Sequence, residues 1–319
     1  MSKKVDIRDA LKLLQKAESL ILVSHISPDG DTLGSTLALA EGLRQTGKKV
    51  SVMVDDEIAT TYNFMPGIKE YIRPTNKDHF EPDLFVVIDS SSLDRTGVVA
   101  ECVKAPILNI DHHISNNEFA DFLWLDAKAT ATGEMIFDLL KEMQVSISLS
   151  MAICLYTAIV TDCGFFKYSN TTPKAMRAAA ELLTFGVEPN VVSDFLEMKS
   201  RENLALLSKV LNTLSYAAKG KIAYIEIKHE DYNKDIDTDS FIQYPRYING
   251  VEVAIMFKAI KTTETRISMR SRWIDVSKIA KKFDGGGHAK ASGCTINGDI
   301  EQAKAILIKC IEEEMEKAK

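Results

Sequence analysis

Cysteine is scarce in this sequence and never forms a closely spaced pair. The five cysteines are scattered over 319 residues without a CxxC motif, so neither a disulfide framework nor a zinc ribbon is indicated. No stretch has the length and apolar character that predict a membrane-spanning helix, and the first residues lack the continuous apolar core of a signal peptide. These absences favour a cytoplasmic protein that does not enter a membrane.

An excess of positive charge is also missing. The 39 Lys and Arg residues are outnumbered by 45 Asp and Glu residues, which argues against a protein that coats nucleic acid. A site for short anionic ligands needs only a local basic region and is compatible with this balance. The 45% hydrophobic and 26% charged composition is that of a globular protein, and its 319 residues favour two domains.

The first half of the chain predicts an α/β domain. Runs that are apolar throughout are typical of parallel strands covered by helices on both faces. Five such runs occupy 20–25, 48–55, 83–89, 106–111 and 122–126. The pattern becomes mostly helical from about 132 to 217. We therefore predict a mostly parallel sheet flanked by helices over residues 1–187, followed by a helical linker over 188–205.

The second half predicts a smaller α+β domain over residues 206–319. Three strand-like segments are followed by a short helix, a glycine-rich loop and a final charged helix. The strands are expected at 221–227, 251–260 and 265–271, the helix at 275–283, the loop at 284–288 and the last helix from about 299.

Aspartate and histidine residues follow four apolar segments of the first half. A single such residue is usually structural, but the carboxyl ends of parallel strands meet at one edge of a sheet, where several could form a site. Carboxylates with fewer imidazoles and no thiolates favour Mn²⁺ or Mg²⁺. The set is too large for one ion, which indicates two ions that share a carboxylate. The residues are His25, Asp29, Asp31, Asp89, Asp111, His112, His113 and Asp162.

Five segments resemble the motifs of the DHH phosphoesterase superfamily in their order and spacing. The first four are SHISPDGDTLGS, VVIDSSSLDRTG, NIDHH and TAIVTDCGFFKYSNTT. The fifth, FDGGGHAKASG, resembles the signature of the DHH-associated C-terminal substrate domain. Within the superfamily, the chain is similar to the short members described as oligoribonuclease (nanoRNase) and pAp phosphatase.

The resemblance implies a phosphoesterase with two Mn²⁺ ions, with Mg²⁺ as the second candidate ion. A hydroxide between the ions would attack phosphorus in short oligoribonucleotides, linear dinucleotides or pAp. One ion would be held by His25, Asp29 and Asp89, and the other by Asp31, Asp89, His112 and Asp162. His113 would contact the phosphoryl group or assist the leaving oxygen, and Asp111 would orient a histidine.

The resemblance also assigns substrate binding to the C-terminal domain. Nine Lys or Arg residues against three acidic residues lie between positions 258 and 290. The candidates are Arg270, Ser271, Gly286, Gly287 and His288. Asp284 stands where family members often have a further glycine, and Lys167 stands where an arginine is common.

Three alternatives are weighed against this interpretation. A family II inorganic pyrophosphatase shares the metal motifs but has a different C-terminal signature. A RecJ-like exonuclease would be a longer chain, and a non-catalytic nucleotide-binding regulator would be expected to lack a ligand. The sequence leaves open which nucleotide is preferred and whether the protein is a monomer or a homodimer.

Overall fold

The computed structural model describes residues 2–234 and 236–317. The chain divides into two units, Met1–Met198 and Lys199–Lys319. The predicted linker at 188–205 contains the division between these units. Among the helices of the described ranges, none combines the length and the apolar character needed to cross a bilayer.

The first unit is built on a six-stranded sheet in which all paired strands are parallel. The strands are β1 (Lys3–Lys4), β2 (Ser19–Val23), β3 (Lys49–Met53), β4 (Leu84–Ile88), β5 (Ile107–Asp111) and β6 (Phe122–Leu125). Their order is β1-β6-β5-β4-β2-β3. The chain order reverses at β2, which pairs with β3 on one side and β4 on the other. Ligands of open α/β sheets bind beyond the strand ends at such a reversal.

Helices cover this sheet on both faces. They are α1 (Ile7–Lys16), α2 (Gly30–Gln45), α3 (Val98–Cys102), α4 (Thr132–Glu142), α5 (Leu149–Asp162), α6 (Pro173–Leu183) and α7 (Pro189–Glu197). Alternate residues of β4 point to opposite faces: Val86 and Ile88 belong to one apolar cluster, and Phe85 and Val87 to the other. Burial on both faces explains why this strand is apolar at every position.

Helices α2 and α5 pack at unusually close range through glycine. A Cβ atom added at Gly34 would lie 2.2 Å from the main-chain oxygen of Cys154 and 3.1 Å from Cβ of Ala158. Only a residue without a side chain lets the two backbones approach this closely. The contact holds the first turns of α2 against the middle of α5.

The second unit contains a mixed six-stranded sheet. Its strands are β7 (Ser215–Ala217), β8 (Ile222–Ile227), β9 (Val253–Lys261), β10 (Glu264–Ser271), β11 (Gly286–His288) and β12 (Ala291–Asn297), in the order β11-β12-β10-β9-β8-β7. Only the pairing of β8 with β9 is parallel among these described strands. The helices are α8 (Arg201–Leu211), α9 (Gln243–Tyr247), α10 (Val276–Lys281) and α11 (Ile300–Lys317).

The fold class predicted from the sequence is confirmed, with differences in detail. The glycine-rich segment predicted as a loop forms β11 over its last three residues, which pair with β12. Neither β12 nor the short edge strand β1 was expected. In β12 the residues are mostly small, so the strand depends on pairing with β10 rather than on an apolar pattern.

Candidate metal centre

The predicted metal ligands meet at the carboxyl-terminal edge of the first sheet. Three follow the ends of the neighbouring strands β2, β4 and β5, and three lie on or beside α2 and α5. The strand-end residues are His25, Asp89 and His112, and the helical ones are Asp29, Asp31 and Asp162. The structure therefore brings together all six residues that the resemblance predicts as metal ligands.

The six side chains form two groups that converge on Asp89. In the first, Nε2 of His25 lies 3.8 Å from Oδ2 of Asp29 and 3.7 Å from Oδ2 of Asp89. In the second, Nε2 of His112 lies 3.6 Å from Oδ1 of Asp89. The same nitrogen lies 3.9 Å from Oδ2 of Asp31 and 3.8 Å from Oδ2 of Asp162. His25, Asp29 and Asp89 have the spacing and the donor atoms to hold a metal ion, and so do Asp31, His112 and Asp162. Asp89 also lies within such a distance of His112 and His113.

The backbone of Asp89 turns sharply where β4 ends. Its φ angle is +57°, a left-handed conformation that aspartate tolerates better than most residues. Its main-chain amide still donates to the carbonyl of Ile110 at 2.9 Å. The turn places a buried carboxylate between the two groups, with one oxygen toward each. Such strained residues are concentrated at functional sites.

Asp29 has two roles because it is the N-cap of α2. Its Oδ1 accepts hydrogen bonds from the amides of Asp31 and Thr32 at 3.0 and 3.1 Å, which satisfies exposed donors at the helix start. The other oxygen, Oδ2, faces His25. Local helix capping therefore fixes which oxygen of Asp29 reaches the centre.

His112 supplies a direct test of whether a cation fits here. Its Nδ1 donates to the main-chain oxygen of Ala129 at 3.2 Å, so the other ring nitrogen is unprotonated in the neutral ring. Within residues 2–234 and 236–317, this buried Nε2 has no hydrogen-bond partner. The lone pair of this nitrogen faces the carboxylates of Asp31, Asp89 and Asp162, and it carries no proton to donate to them. A metal ion bound among these atoms would satisfy both the nitrogen and the carboxylates.

The electrostatics of the centre lead to the same conclusion. Burial, followed by repulsion from neighbouring carboxylates, raises the pKa of Asp31 and of Asp89 well above the usual value for aspartate. Burial lowers the pKa of His25, which favours the neutral ring that can bind a metal. A divalent cation bound where the carboxylates converge would offset this repulsion and favour their ionised form.

His113 forms a hydrogen bond with Asp111. Nδ1 of His113 lies 2.7 Å from Oδ1 of the fully buried Asp111. Asn116 donates to the other carboxylate oxygen at 2.6 Å. Burial lowers the pKa of His113, but its hydrogen bond to Asp111 and the charge of that carboxylate outweigh burial, so the pKa is raised overall. The side chain of His113 keeps 27% of its surface exposed.

The second unit has an open cavity of about 840 Å³. Arg266 and Arg270 of β10 line it together with three consecutive glycines at 285–287. A Cβ atom at Gly287 would lie 2.5 Å from a main-chain oxygen, and its φ angle is +128°. This position therefore requires glycine.

Two of the predicted substrate residues are placed elsewhere. Ser271 lies on the buried face of β10, with 4% of its surface exposed, because residues of a strand alternate between faces. His288 is exposed at the end of β11. Neither is among the described residues that line the cavity, whereas Arg270, Gly286 and Gly287 are. Asp284 also lines the cavity and has a φ angle of +53°.

The two units match two known domains. The DHH family N-terminal domain matches residues 19–159, and the DHHA1 domain matches residues 219–317. The bifunctional oligoribonuclease and PAP phosphatase NrnA of Thermus thermophilus is 32% identical, over 98% of this chain and 95% of that protein. The chain belongs to the DHH family.

Other relatives extend this similarity. NrnA of Bacillus subtilis is 26% identical, over 90% of this chain and 92% of that protein. The crystal structure of an exopolyphosphatase-related protein from Bacteroides fragilis is 28% identical. It aligns with a TM-score of 0.88 over 98% of this chain and 95% of that chain. The protein is thus a DHH-family phosphoesterase similar to NrnA.

Several polar residues around the centre of this DHH-family protein were not predicted from the sequence. Thr132 and Gly133 at the start of α4 contact Asp31, and Asn170 contacts Asp162. The guanidinium of Arg95 lies 3.1 Å from Nδ1 of His25. Threonine and glycine are not metal-binding residue types. The one signal in the sequence is that the helical pattern begins at about 132, because the first amides of a helix have no partner within the helix.

Proposed function

We propose that this protein is a divalent-metal-dependent phosphodiesterase and phosphatase, with Mn²⁺ as the preferred ion. Its substrates would be short oligoribonucleotides, linear dinucleotides and pAp. The observation that carries the proposal is the convergence of two groups of ligand-type side chains on the single carboxylate of Asp89. The similarity to NrnA relatives over nearly the whole chain supports the substrate class.

The ligands divide between two ions according to the distances between side chains. One ion would bind His25, Asp29 and Oδ2 of Asp89. The other would bind the remaining four ligand groups, Asp31, Oδ1 of Asp89, His112 and Asp162. Aspartate oxygens with a minority of imidazoles favour Mn²⁺ or Mg²⁺ over Zn²⁺. When bound, such a pair supplies Lewis-acid activation of water and of the phosphoryl group.

His113 is the residue of the chain best placed to act on the substrate itself. Its Nδ1 is held by Asp111 at 2.7 Å, while part of its side chain is exposed. The fixed ring can therefore direct Nε2 toward a phosphoryl oxygen or a leaving oxygen and donate a proton there. Asp111 keeps the ring in this orientation, because its own oxygens are also held by main-chain amides and by Asn116.

The second unit would bind the nucleotide portion of the substrate. Two arginines and a run of glycines line its cavity, and these groups suit phosphate because guanidinium forms paired hydrogen bonds and glycine exposes backbone amides. We assign Arg270 to this role and retain Ser271 and His288 as weaker candidates, since neither lines the cavity.

A substrate panel with Mn²⁺ tests the proposal. Purified protein would be freed of metal with chelator, reloaded with Mn²⁺ and given pAp, pApA, pGpG, a short RNA, a long single strand and inorganic pyrophosphate. We expect turnover of the first four, slow turnover of the long strand and none of pyrophosphate. Matched assays with Mg²⁺ and in excess chelator measure the dependence on metal.

The outcomes separate the alternatives. Hydrolysis of pyrophosphate alone would identify a pyrophosphatase, and equal rates on short and long RNA would identify a processive exonuclease. Binding of nucleotides without turnover under every metal condition would identify a regulator. Full activity in excess chelator would refute the metal-dependent mechanism.

A further inference from the structure

The segment of residues 129–133, which leads into α4, contacts most of one ligand group. Its residues are buried, and Thr130 and Thr132 have 0% of their surface exposed. It contains no side chain of the types that bind Mn²⁺ strongly. Its hydrogen bonds nevertheless reach three of the four side chains assigned to the second ion, namely Asp31, Asp89 and His112.

Two amides of this segment hold Asp31. Thr132 donates its main-chain N–H to Oδ2 at 2.7 Å, and Gly133 donates to Oδ1 at 2.8 Å. The hydroxyl of Ser35 also donates to Oδ1, at 3.0 Å. A carboxylate oxygen accepts about two hydrogen bonds, so Oδ1 is fully used and Oδ2 keeps one lone pair. Asp31 can therefore bind an ion through one defined oxygen, the one that faces His112.

The hydroxyl of Thr132 holds Asp89 in the same way. It donates to Oδ1 at 2.9 Å, the oxygen that lies 3.6 Å from Nε2 of His112. Oδ2 faces His25 instead. With one lone pair of Oδ1 occupied, the carboxylate cannot rotate to give both oxygens to one ion without losing this bond. Thr132 thus keeps one oxygen of Asp89 directed to each group.

The remaining two ligands are tied to the same segment. The carbonyl of Ala129 accepts from Nδ1 of His112. Asn170 donates to the carbonyl of Thr130 at 3.3 Å and to Oδ2 of Asp162, also at 3.3 Å. In the part of the chain that the structure describes, no hydrogen bond joins the segment to His25 or Asp29.

We propose that the 129–133 segment orients the ligands of one of the two ions, and that Thr132 is the positioning residue that divides Asp89 between them. The inference rests on the proposed two-ion function and goes beyond it, because it assigns a role to residues that bind no ion. Hydrogen bonds to metal ligands fix their orientation, and losing one typically lowers metal affinity by about 10- to 100-fold.

The test is a Mn²⁺ titration of metal-free protein by calorimetry, with bound Mn²⁺ also followed by electron paramagnetic resonance. Thr132→Val removes the hydroxyl at nearly constant volume, and Thr132→Ala removes it without filling the space. Thr132→Ser retains it. The matched control is Thr157→Val, because Thr157 is also 0% exposed but donates to the carbonyl of Ile153 within α5.

We expect wild type, Thr132→Ser and Thr157→Val to bind two Mn²⁺ ions alike. In Thr132→Val and Thr132→Ala, the affinity of one ion should fall by about 10- to 100-fold, with the other less affected. Circular dichroism and melting temperature identify any variant that fails to fold, and either hydroxyl-free variant alone is sufficient for the test.

The results distinguish the inference from the function on which it rests. If the wild type binds no pair of ions, the proposed function fails. If the wild type binds two ions and the folded hydroxyl-free variants bind both equally well, the role of Thr132 is refuted while the function stands. An equal loss of affinity in Thr157→Val would also refute it, because any buried hydroxyl would then matter as much.

Discussion

Replacing Gly34 by alanine should disturb the metal centre without touching a ligand. The added Cβ atom would lie 2.2 Å from the main-chain oxygen of Cys154, whereas real Cβ atoms essentially never come within 3.0 Å of such an atom. A main-chain oxygen inside a helix cannot move independently, so α2 and α5 must separate. Asp31 lies on α2 and Asp162 ends α5, so the separation changes the spacing of two proposed ligands.

The size of the effect follows from the required movement. Clearing the contact needs a displacement of roughly 1 Å, and a misplacement of that size can lower a rate by about 100-fold. Overpacking costs about 1–3 kcal/mol, while exchanging glycine for alanine within a helix gains up to about 1 kcal/mol. The net loss of unfolding free energy should therefore be about 0–3 kcal/mol, so the variant should fold and yet be impaired.

Gly42 on the same helix provides the matched control. A Cβ atom there would also meet a neighbour at 2.2 Å, but that neighbour is Cδ2 of Leu140, the end of a flexible side chain. We would compare kcat/KM on a dinucleotide, Mn²⁺ affinity and melting temperature for Gly34→Ala and Gly42→Ala. Only Gly34→Ala should lose activity and affinity. If it retains both at wild-type level, close packing of α2 on α5 does not set the ligand spacing.

Three further predictions follow from the centre and the cavity. Asp89→Asn keeps a residue that tolerates a φ angle of +57° but removes the shared charge, so turnover should fall roughly a thousandfold. The exposed control Asp194→Asn should turn over substrate at the wild-type rate. If Asp89→Asn is as fast as this control, Asp89 is not a shared ligand. Mn²⁺ at a hundredfold excess over Kd should stabilise the protein by about 2.7 kcal/mol for each ion bound, which would be measured as a rise in Tm. The rise should shrink as pH falls toward the raised pKa values of Asp31 and Asp89, because protons compete with the ion; an unchanged Tm would contradict this. Arg270→Ala should lower kcat/KM on dinucleotides by about 10- to 100-fold with Mn²⁺ affinity unchanged, and a loss of Mn²⁺ binding would contradict its assignment to substrate.

The sequence predicted those strands whose burial dictates their composition. The segment that forms β4 is apolar at every position because both faces are covered, and it was predicted within one residue at each end. The edge strand Lys3–Lys4 is exposed and forms through main-chain pairing with β6, which leaves no mark in the side-chain pattern. The same holds for β12, where small residues take their conformation from β10.

The candidate site divides in a similar way. Ligand-type side chains could be found because histidine and aspartate at strand ends are chemically distinctive. The contacts of Thr132 and Gly133 could not, since these residues reach Asp31 only after α4 has packed beside α2. Ser271 is a candidate together with Arg270 on one predicted strand, but alternate residues of a strand point to opposite faces, and Ser271 is buried.

The spread of the proposed ligands along the chain has a consequence for biosynthesis. The first is residue 25, directly after β2, and the last is residue 162, at the end of α5, so every strand of the first sheet leaves the ribosome before the set is complete. A nascent chain that ends before α5 would have clustered carboxylates but no complete pair of ion sites. On this assignment, both ions can be bound only after the chain has been translated through residue 162 and has folded, and full metal content would report how much of a newly made population has matured.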